Sequence, residues 1–310
     1  MKTLICGGIA IDDIRLPGEF YSKVVGGSAI YASLAASLFS PTILSGVVGK
    51  DFPKDYLEKL KKKNVDLSNI QYSKLPSFRW KGRYSNDLSQ LVTTDQRMNA
   101  FSEFRLDGLE NIAKNCKVVF LSNIDPNIQY NLINNLPSKV IKILDSMDLW
   151  IVEEREKLKK VLAMTDVFFV SASEARLLVE QESPFLEVVE KIMLLGPKVV
   201  VVKKGEHGLT MYGKMGTIAV PSYPLSMAID PSGAGDSLGG AVAGVLSSIG
   251  RFDASSMATA IVIGNIVASF AVEGISTSSL LDLTKDEVIN RTKTFLSQLP
   301  NSVSLQLEHL

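Results

Sequence analysis

IDPSGAGDSLGGAVAGVLSSIG, residues 229–250, sets Gly233 and Gly235 around Ala234, places a carboxylate at Asp236, and runs on as a helical pattern of small residues. Three phosphate-binding turns compete for it. A Walker loop needs GxxxxGK[ST], which the chain lacks; GVVGKD (46–51) has the wrong glycine spacing and ends on Asp51 where a magnesium-binding hydroxyl belongs. A dinucleotide fingerprint comes closer, because GAGDSLG (233–239) gives GxGxxxG. Yet the acidic residue about 20 positions on, Asp253, follows no strand, and a carboxylate directly after the second glycine repels a pyrophosphate. The third reading uses that carboxylate. Backbone N–H groups around Gly233 and Gly235 converge with the positive end of a helix beginning near Asp236, making an anion hole for a transferring phosphoryl group. Asp236 beside it accepts the proton of an attacking hydroxyl, a general-base role contributing about 10²–10⁴ in rate.

Around this turn, short β-branched runs alternate with helical patterns. The runs are TLICGG (3–8), TILSGVV (42–48), KVVFLSN (117–123), KVIKILD (139–145), DVFFVS (166–171) and KVVVVKK (198–204). Strands that apolar need cover on both faces, and helical stretches at 29–39, 54–64, 152–164, 172–181 and 185–196 supply it. The pattern predicts an α/β fold: a doubly wound, mainly parallel sheet flanked by helices. Two polar, aromatic segments break the rhythm, 12–25 and 76–104, the second with weak period-two alternation at Phe78, Trp80, Gly82 and Tyr84. They predict a small β lid over the carboxyl ends of the strands, with an edge hairpin of no functional role as the alternative. With no repeat and no linker, residues 1–310 read as one domain carrying that lid.

Composition excludes several classes. The chain has 310 residues, 46% of them hydrophobic, and 33 basic residues balance 33 acidic ones. That gives core material, but no basic footprint for nucleic acid and no polybasic segment for a membrane. KLKKKN (59–64) reads as the wet face of an amphipathic helix beside Tyr56, Leu57 and Leu60. Cys6 and Cys116 are too few for a disulfide framework or zinc cluster and suit a reducing cytoplasm. The start, MKTLICGGIAIDDI, reads as a buried strand rather than a secretory signal. MATAIVIGNIVASFAV (257–272) reads as a buried helix, shorter than the ~18 residues of a membrane span. His207 and His309 are the two histidines, which leaves no ready dyad. The expected partner is a small molecule.

DPSGAGD, coupled to VVGGSAIYASLAASL (24–38) and to an aspartate near the end of the first strand, resembles the ribokinase-like (PfkB) family of sugar and nucleoside kinases over almost the whole chain. The resemblance implies ATP as phosphoryl donor, Mg²⁺ at its phosphates, K⁺ ordering the anion hole, and a hydroxyl of a small sugar, polyol or nucleoside as acceptor. Asp236 then resembles the catalytic base, Gly233, Ala234 and Gly235 the anion hole, and Asp230 a ligand of the monovalent cation. Asp12, together with Gly26 and Gly27, falls where relatives bind substrate hydroxyls. A carboxylate accepts two hydrogen bonds from adjacent hydroxyls, and paired glycines let the backbone pass close to a polyol before a helix begins near Ser28. Alone, those glycines would read as a flexible turn before a helix. The family also implies a homodimer through the lid.

Other segments carry weaker signals. VSASEARLL (170–178) falls where relatives have an NxxE motif serving Mg²⁺ through water. Glu174 is present, but Ser171 holds the Asn position, and a surface Glu on a first helical turn is the alternative. VVVKKGEHGLTMYG (200–213) reads as strand, turn and strand, and resembles the adenine-nucleotide wall, with Lys203, Gly205 and Gly208 near the phosphates or ribose. His207 is a turn residue there. Asn265 matches a position beside the adenine ring, or is a hydrogen-bonded core residue. Arg79 and Arg83 on FRWKGRY (78–84) reach an anionic or polyhydroxyl substrate, or stay solvated. Ile30 and Tyr31 follow GGSA where ribokinase-type members are polar, which argues against ribose. Two other readings stand: a catalytically silent sugar- or nucleotide-binding regulatory protein on the same fold, and an NADP-type oxidoreductase.

Overall fold

The structure, a computed structural model, describes residues 1–180 and 183–299. His309 and Gln181, the end of the helix expected over 172–181, lie outside the described residues. The strands in chain order are β1 Thr3–Cys6, β2 Ala10–Leu16, β3 Glu19–Gly26, β4 Thr42–Val48, β5 Val65–Tyr72, β6 Phe78–Tyr84, β7 Leu91–Arg97, β8 Val118–Leu121, β9 Ile141–Asp145, β10 Val167–Ser171, β11 Val199–Lys203, β12 Leu209–Gly213 and β13 Ile218–Val220.

Seven of them run parallel in the order β5-β4-β1-β8-β9-β10-β11, and β12 and β13 extend the far edge through antiparallel pairing. The unbroken apolar runs follow from this arrangement. Val167 and Phe169 of β10 point into the same core layer as Ile5 and Phe120, while Phe168 and Val170 enter the opposite layer with Leu4 and Cys6. Both faces of the parallel sheet are therefore covered by helices, as the sequence pattern requires. Strand β5 escapes that pattern because it is a polar edge strand, exposed at alternate positions. The single helix expected over 152–164 is two, Asp148–Glu153 and Arg155–Leu162, broken where Glu154 leaves helical geometry at φ −127°. Cys6 and Cys116 are both buried free thiols, and burial pushes Cys6 up to about 12 and Cys116 to about 11, so neither offers a thiolate at neutral pH.

The segments that break the α/β rhythm form a second sheet, in the order β3-β2-β6-β7. It begins two residues before the expected lid boundary, at Ala10, and closes with a 3₁₀ turn at Asn99–Glu103.

Two helices fix the centre of the molecule. Helix Ser28–Ser37 follows the first glycine pair, and helix Ala234–Ile249 follows the second glycine motif. They lie side by side and run the same way. A Cβ on Gly240 would stand 2.2 Å from the Ala32 carbonyl oxygen, and one on Gly244 would stand 2.5 Å from that of Ala36. Glycines four residues apart share one helix face, so the two backbones touch along a seam. Each glycine costs about 1 kcal/mol of helix propensity relative to alanine, which this close packing offsets. Helix Ala254–Ala271 packs on the other flank, with Gly264 under Leu238 and Val242. At 18 residues it is long and apolar enough to cross a membrane, but 78% of it is buried in this core.

Candidate active site

Ligands of open α/β sheets bind beyond the carboxyl ends of the strands, and here those ends carry the polar residues of the core. After β1 the chain passes Gly7 and Gly8; a Cβ on Gly7 would fall 1.9 Å from Ser122 Oγ, just past β8. Ser122 donates to the Cys6 carbonyl and lies 3.0 Å from Ser28 Oγ, the first residue of its helix. Strand β9 ends on Asp145, β10 on Ser171 and β11 on Lys203.

The loop 230–236 descends onto this row. Asp230 is fully buried: one carboxylate oxygen accepts from Ser232 N at 2.9 Å and the other from Ser276 N at 2.8 Å, tying the loop to the chain beyond helix Ala254–Ala271. Gly233 adopts φ +73°, and a Cβ there would enter the Tyr31 ring at 2.2 Å, so both conformation and space demand glycine. The helix starts at Ala234, earlier than the sequence suggested, which puts Gly235 and Asp236 in its first turn, where amides lack intrahelical acceptors. The Lys203 ammonium lies over Gly235: a Cβ on that glycine would be 3.3 Å from Nζ.

Lys203 is clamped by Asp145, with Nζ at 2.9 and 3.0 Å from the two carboxylate oxygens. Asp145 is 3% exposed. Burial alone would pull the ammonium down, but the charges of Asp145, Glu174 and Asp236 hold it above its ordinary value. Glu174 accepts Ser171 N at 2.7 Å while Glu174 N donates to Ser171 Oγ at 3.1 Å, a reciprocal cap on helix Ala172–Val179. Burial, then the Asp145 charge, push Asp236 up to about 7 against the opposing pull of Lys203, with Glu174 adding to the rise. Asp145 itself is pushed to about 6, by burial first, with Lys203 opposing.

Across the cleft, Asp12 on β2 is 5% exposed and its Oδ1 has no hydrogen-bond partner among the described residues. Burial raises it to about 8; the Gly27 amide opposes this, and Asp230, Asp13 and Asp236 add to it. Its other oxygen occupies the space a side chain at Gly26 would need, since a Cβ there would come within 1.9 Å of Oδ2. Gly27, at φ +95°, lies against the Gly8 carbonyl and heads helix Ser28–Ser37. The second sheet reaches the loop through Tyr84, whose hydroxyl is 3.1 Å from Ser232 Oγ.

Three residues singled out in the sequence have partners away from the loop 230–236. Arg79 pairs with Ile11 in the sheet register and so projects from the face opposite Asp12, where its guanidinium bonds Asp51 at 2.6 Å; alternation along a strand carries it away from the acceptor side. Asn265 donates to the Pro221 carbonyl at 2.9 Å, tying its helix to the segment after β13. Asp253, the acid of the dinucleotide reading, caps helix Ala254–Ala271 by accepting Ser256 N at 2.9 Å. It lies beyond the far end of a 16-residue helix, about 24 Å along the axis from the glycine turn. Gly205 and Gly208 bound a 3₁₀ turn after Lys203, and a Cβ on Gly208 would meet the Val220 carbonyl at 2.1 Å, so the turn is folded against β13. His207 is exposed on that turn.

Residues 12–283 match the model of the pfkB family carbohydrate kinases. The fold is similar to that of a Burkholderia thailandensis nucleoside kinase in complex with inosine, at TM-score 0.78 and 19% identity over 96% of this chain and 100% of that one. It is similar to Arabidopsis thaliana ribokinase complexed with ribose and ATP, at TM-score 0.74 and 20% identity over 94% and 98% of the two chains. An E. coli ribokinase II candidate in complex with ATP and Mg²⁺ gives TM-score 0.76 and 21% identity over 94% and 99%. With a family model spanning most of its length, the chain belongs to the pfkB family of carbohydrate kinases.

Proposed function

We propose that the protein transfers the terminal phosphoryl group of ATP to a hydroxyl of a small sugar, polyol or nucleoside. One observation carries this reading: Asp236 stands on the first turn of helix Ala234–Ile249, beside first-turn amides without intrahelical acceptors and close to the Lys203 ammonium that lies over Gly235. The acceptor oxygen attacks phosphorus as the bond to the ADP oxygen breaks, and its proton passes to Asp236. The Gly233, Ala234 and Gly235 backbone and Lys203 stabilise the charge on the transferring group. Asp12 accepts acceptor hydroxyls, with Gly26 and Gly27 leaving the backbone close beside it. Lys203, Gly205 and Gly208 line the nucleotide side, with Asn265 shaping its wall through Pro221.

No three acidic, histidine or cysteine side chains converge as a metal cage among the described residues. An Mg²⁺ would therefore rest mainly on phosphate oxygens, with Glu174 reaching it through water; bound there, it neutralises those oxygens. Asp230, fully buried and with no lysine or arginine beside it among the described residues, fits a K⁺ that orders the loop. The protein is read as acting on small molecules in the cytoplasm, and as a homodimer through its lid.

A second reading, a silent binding protein, draws on Ser171 and Glu174, which bond each other rather than leaving an amide side chain free for the metal. ADP release with Mg-ATP and an acceptor panel separates the two. Asp236→Asn should lower kcat by about 10²–10⁴ with ATP affinity within threefold of wild type. Retained turnover removes the assigned base, and ligand binding without any turnover by the wild type favours the silent protein.

A further inference from the structure

The two faces of the lid differ in charge. On β6 the odd positions Arg79, Lys81 and Arg83 alternate with Phe78, Trp80, Gly82 and Tyr84, and alternate residues of a strand point to opposite faces. The register fixes which face is which. Asp12 pairs with Trp80, and Tyr84 on that same face reaches Ser232 of the catalytic loop. Ile11 pairs with Arg79, Asp13 with Lys81 and Arg15 with Arg83. Four cations on the outer face are engaged there: Lys81 with Asp13, Arg79 with Asp51, Arg97 with Asp95, and Arg15 over the Phe20 ring. Lys23 lines the same outer groove. Among the described residues, none of the lysines or arginines on these four strands shares the face of Asp12.

What that inner face does present is a carboxyl and aromatic rings. Asp12 Oδ1 is buried and unpartnered, so it awaits a donor. The Trp80 ring is folded over Gly82, where a Cβ would stand 2.0 Å from the ring, and its indole N–H is held by Thr93 Oγ1 at 3.1 Å. The indole nitrogen is thereby used, and the ring is held against the sheet. Phe78 packs at Gly8, on the floor beside Ser28. The loop opposite contributes Asp230 and Asp236.

We propose, resting on the kinase reading, that the acceptor is an uncharged polyhydroxylated ring compound, and that this lid excludes sugars already bearing a phosphate. A phosphate carried into this cleft would lose its water with no lid cation to replace it, beside three carboxyl groups; burying an unpaired charge is among the most costly things a site does. A hydroxylated ring instead satisfies Asp12 and lays its apolar face on the indole.

The test uses the full chain with Mg-ATP and matched acceptors that each keep a free hydroxyl: ribose, inosine, fructose and myo-inositol against fructose 6-phosphate, fructose 1-phosphate, inosine 3′-phosphate and inositol 1-phosphate. Each neutral compound that reacts should exceed its phosphorylated partner at least a hundredfold in kcat/KM. Melting-temperature shifts without nucleotide read the pocket independently of catalysis, and only neutral members should raise the midpoint. Selective stabilisation by neutral members without turnover would overturn the kinase reading and the acceptor role with it, and leave standing the exclusion of phosphorylated sugars by this sheet. Turnover or stabilisation by a phosphorylated member at parity overturns the inference while the kinase stands, and a panel in which no neutral member binds or reacts overturns both. Trp80→Ala should raise the acceptor KM at least tenfold with kcat changed less than threefold, Trp80→Phe should restore KM, and outer-face Lys81→Gln should leave the neutral preference intact; a Lys81→Gln variant that lost that preference would place the discriminating charge on the wrong face.

Discussion

Replacing Asp145 by asparagine should shift the acid limb of the pH–rate profile downward and lower its plateau together. In the proposed function Asp236 serves as a base when ionised, and the fold moves it from 3.8 to about 7 by burial and then by the Asp145 charge. With a value near 7, about a tenth of the base is active at pH 6 and about nine tenths at pH 8, so kcat/KM rises nearly tenfold per unit below neutrality. Removing the Asp145 charge deletes the largest charged contribution to that rise and leaves Lys203 pulling Asp236 down, while burial persists. The limb therefore moves to lower pH without returning to the ordinary carboxylate value, and at pH 6 the variant runs at more than a tenth of its own plateau. The plateau itself falls because Lys203 loses a bidentate clamp of 2.9 and 3.0 Å. A hydrogen bond to a charged group contributes about 1.5–3 kcal/mol, so a loosened ammonium over Gly235 should cost roughly tenfold or more in rate. Initial rates of ADP release from pH 5 to 9, at saturating Mg-ATP and acceptor below its KM, read both quantities. A limb that stays fixed or moves upward, or an unchanged plateau, would refute the coupling of Asp145 to the base through this cluster.

Gly240→Ala should destabilise the protein by about 1–3 kcal/mol, because its Cβ would stand 2.2 Å from the Ala32 carbonyl and overpack the helix seam, although alanine improves helix propensity by about 1 kcal/mol. A urea midpoint at or above wild type, with the slope unchanged, contradicts it. The nucleotide-free protein should be more stable at pH 5 than at pH 8. Asp145, Asp236 and Asp12 have folded values of about 6, about 7 and about 8 against 3.8 unfolded, so their contribution is present below pH 3.8 and is lost as pH rises through those values. A loss of at least about 2 kcal/mol between the two pH values should appear in guanidinium midpoints, with a flatter slope for Asp12→Asn; a higher midpoint at pH 8 contradicts the sign.

The parallel sheet was legible because its strands are buried on both faces: runs such as KVVVVKK admit no other environment. Strand β5 was not, since VDLSNIQY at an open edge looks like a loop until a neighbour pairs with it. The glycine turn was legible from spacing, as was the need for Gly27, but Asp145 was missed despite a usable signal, a carboxylate closing the β-branched run KVIKILD. Its meaning depends on Lys203 lying 58 residues away, a proximity only the strand order creates. Arg79 shows the converse error. Residue type suggested an anion contact, whereas the parity of its position on β6 decided which side of the lid it faces. Tyr84 was legible only as part of a strand alternation and Ser122 gave no signal, because a lone hydroxyl acquires its partner only from the tertiary fold.

The glycine seam between helices Ser28–Ser37 and Ala234–Ile249 works like the fixed jaw of a caliper. Segments far apart in the chain are packed backbone to backbone, and the second sheet stands as the opposite jaw. Under the proposed function, taste for one alcohol or another can then drift by exchanging residues along β6 and β7, while the spacing on which proton removal would rely stays locked.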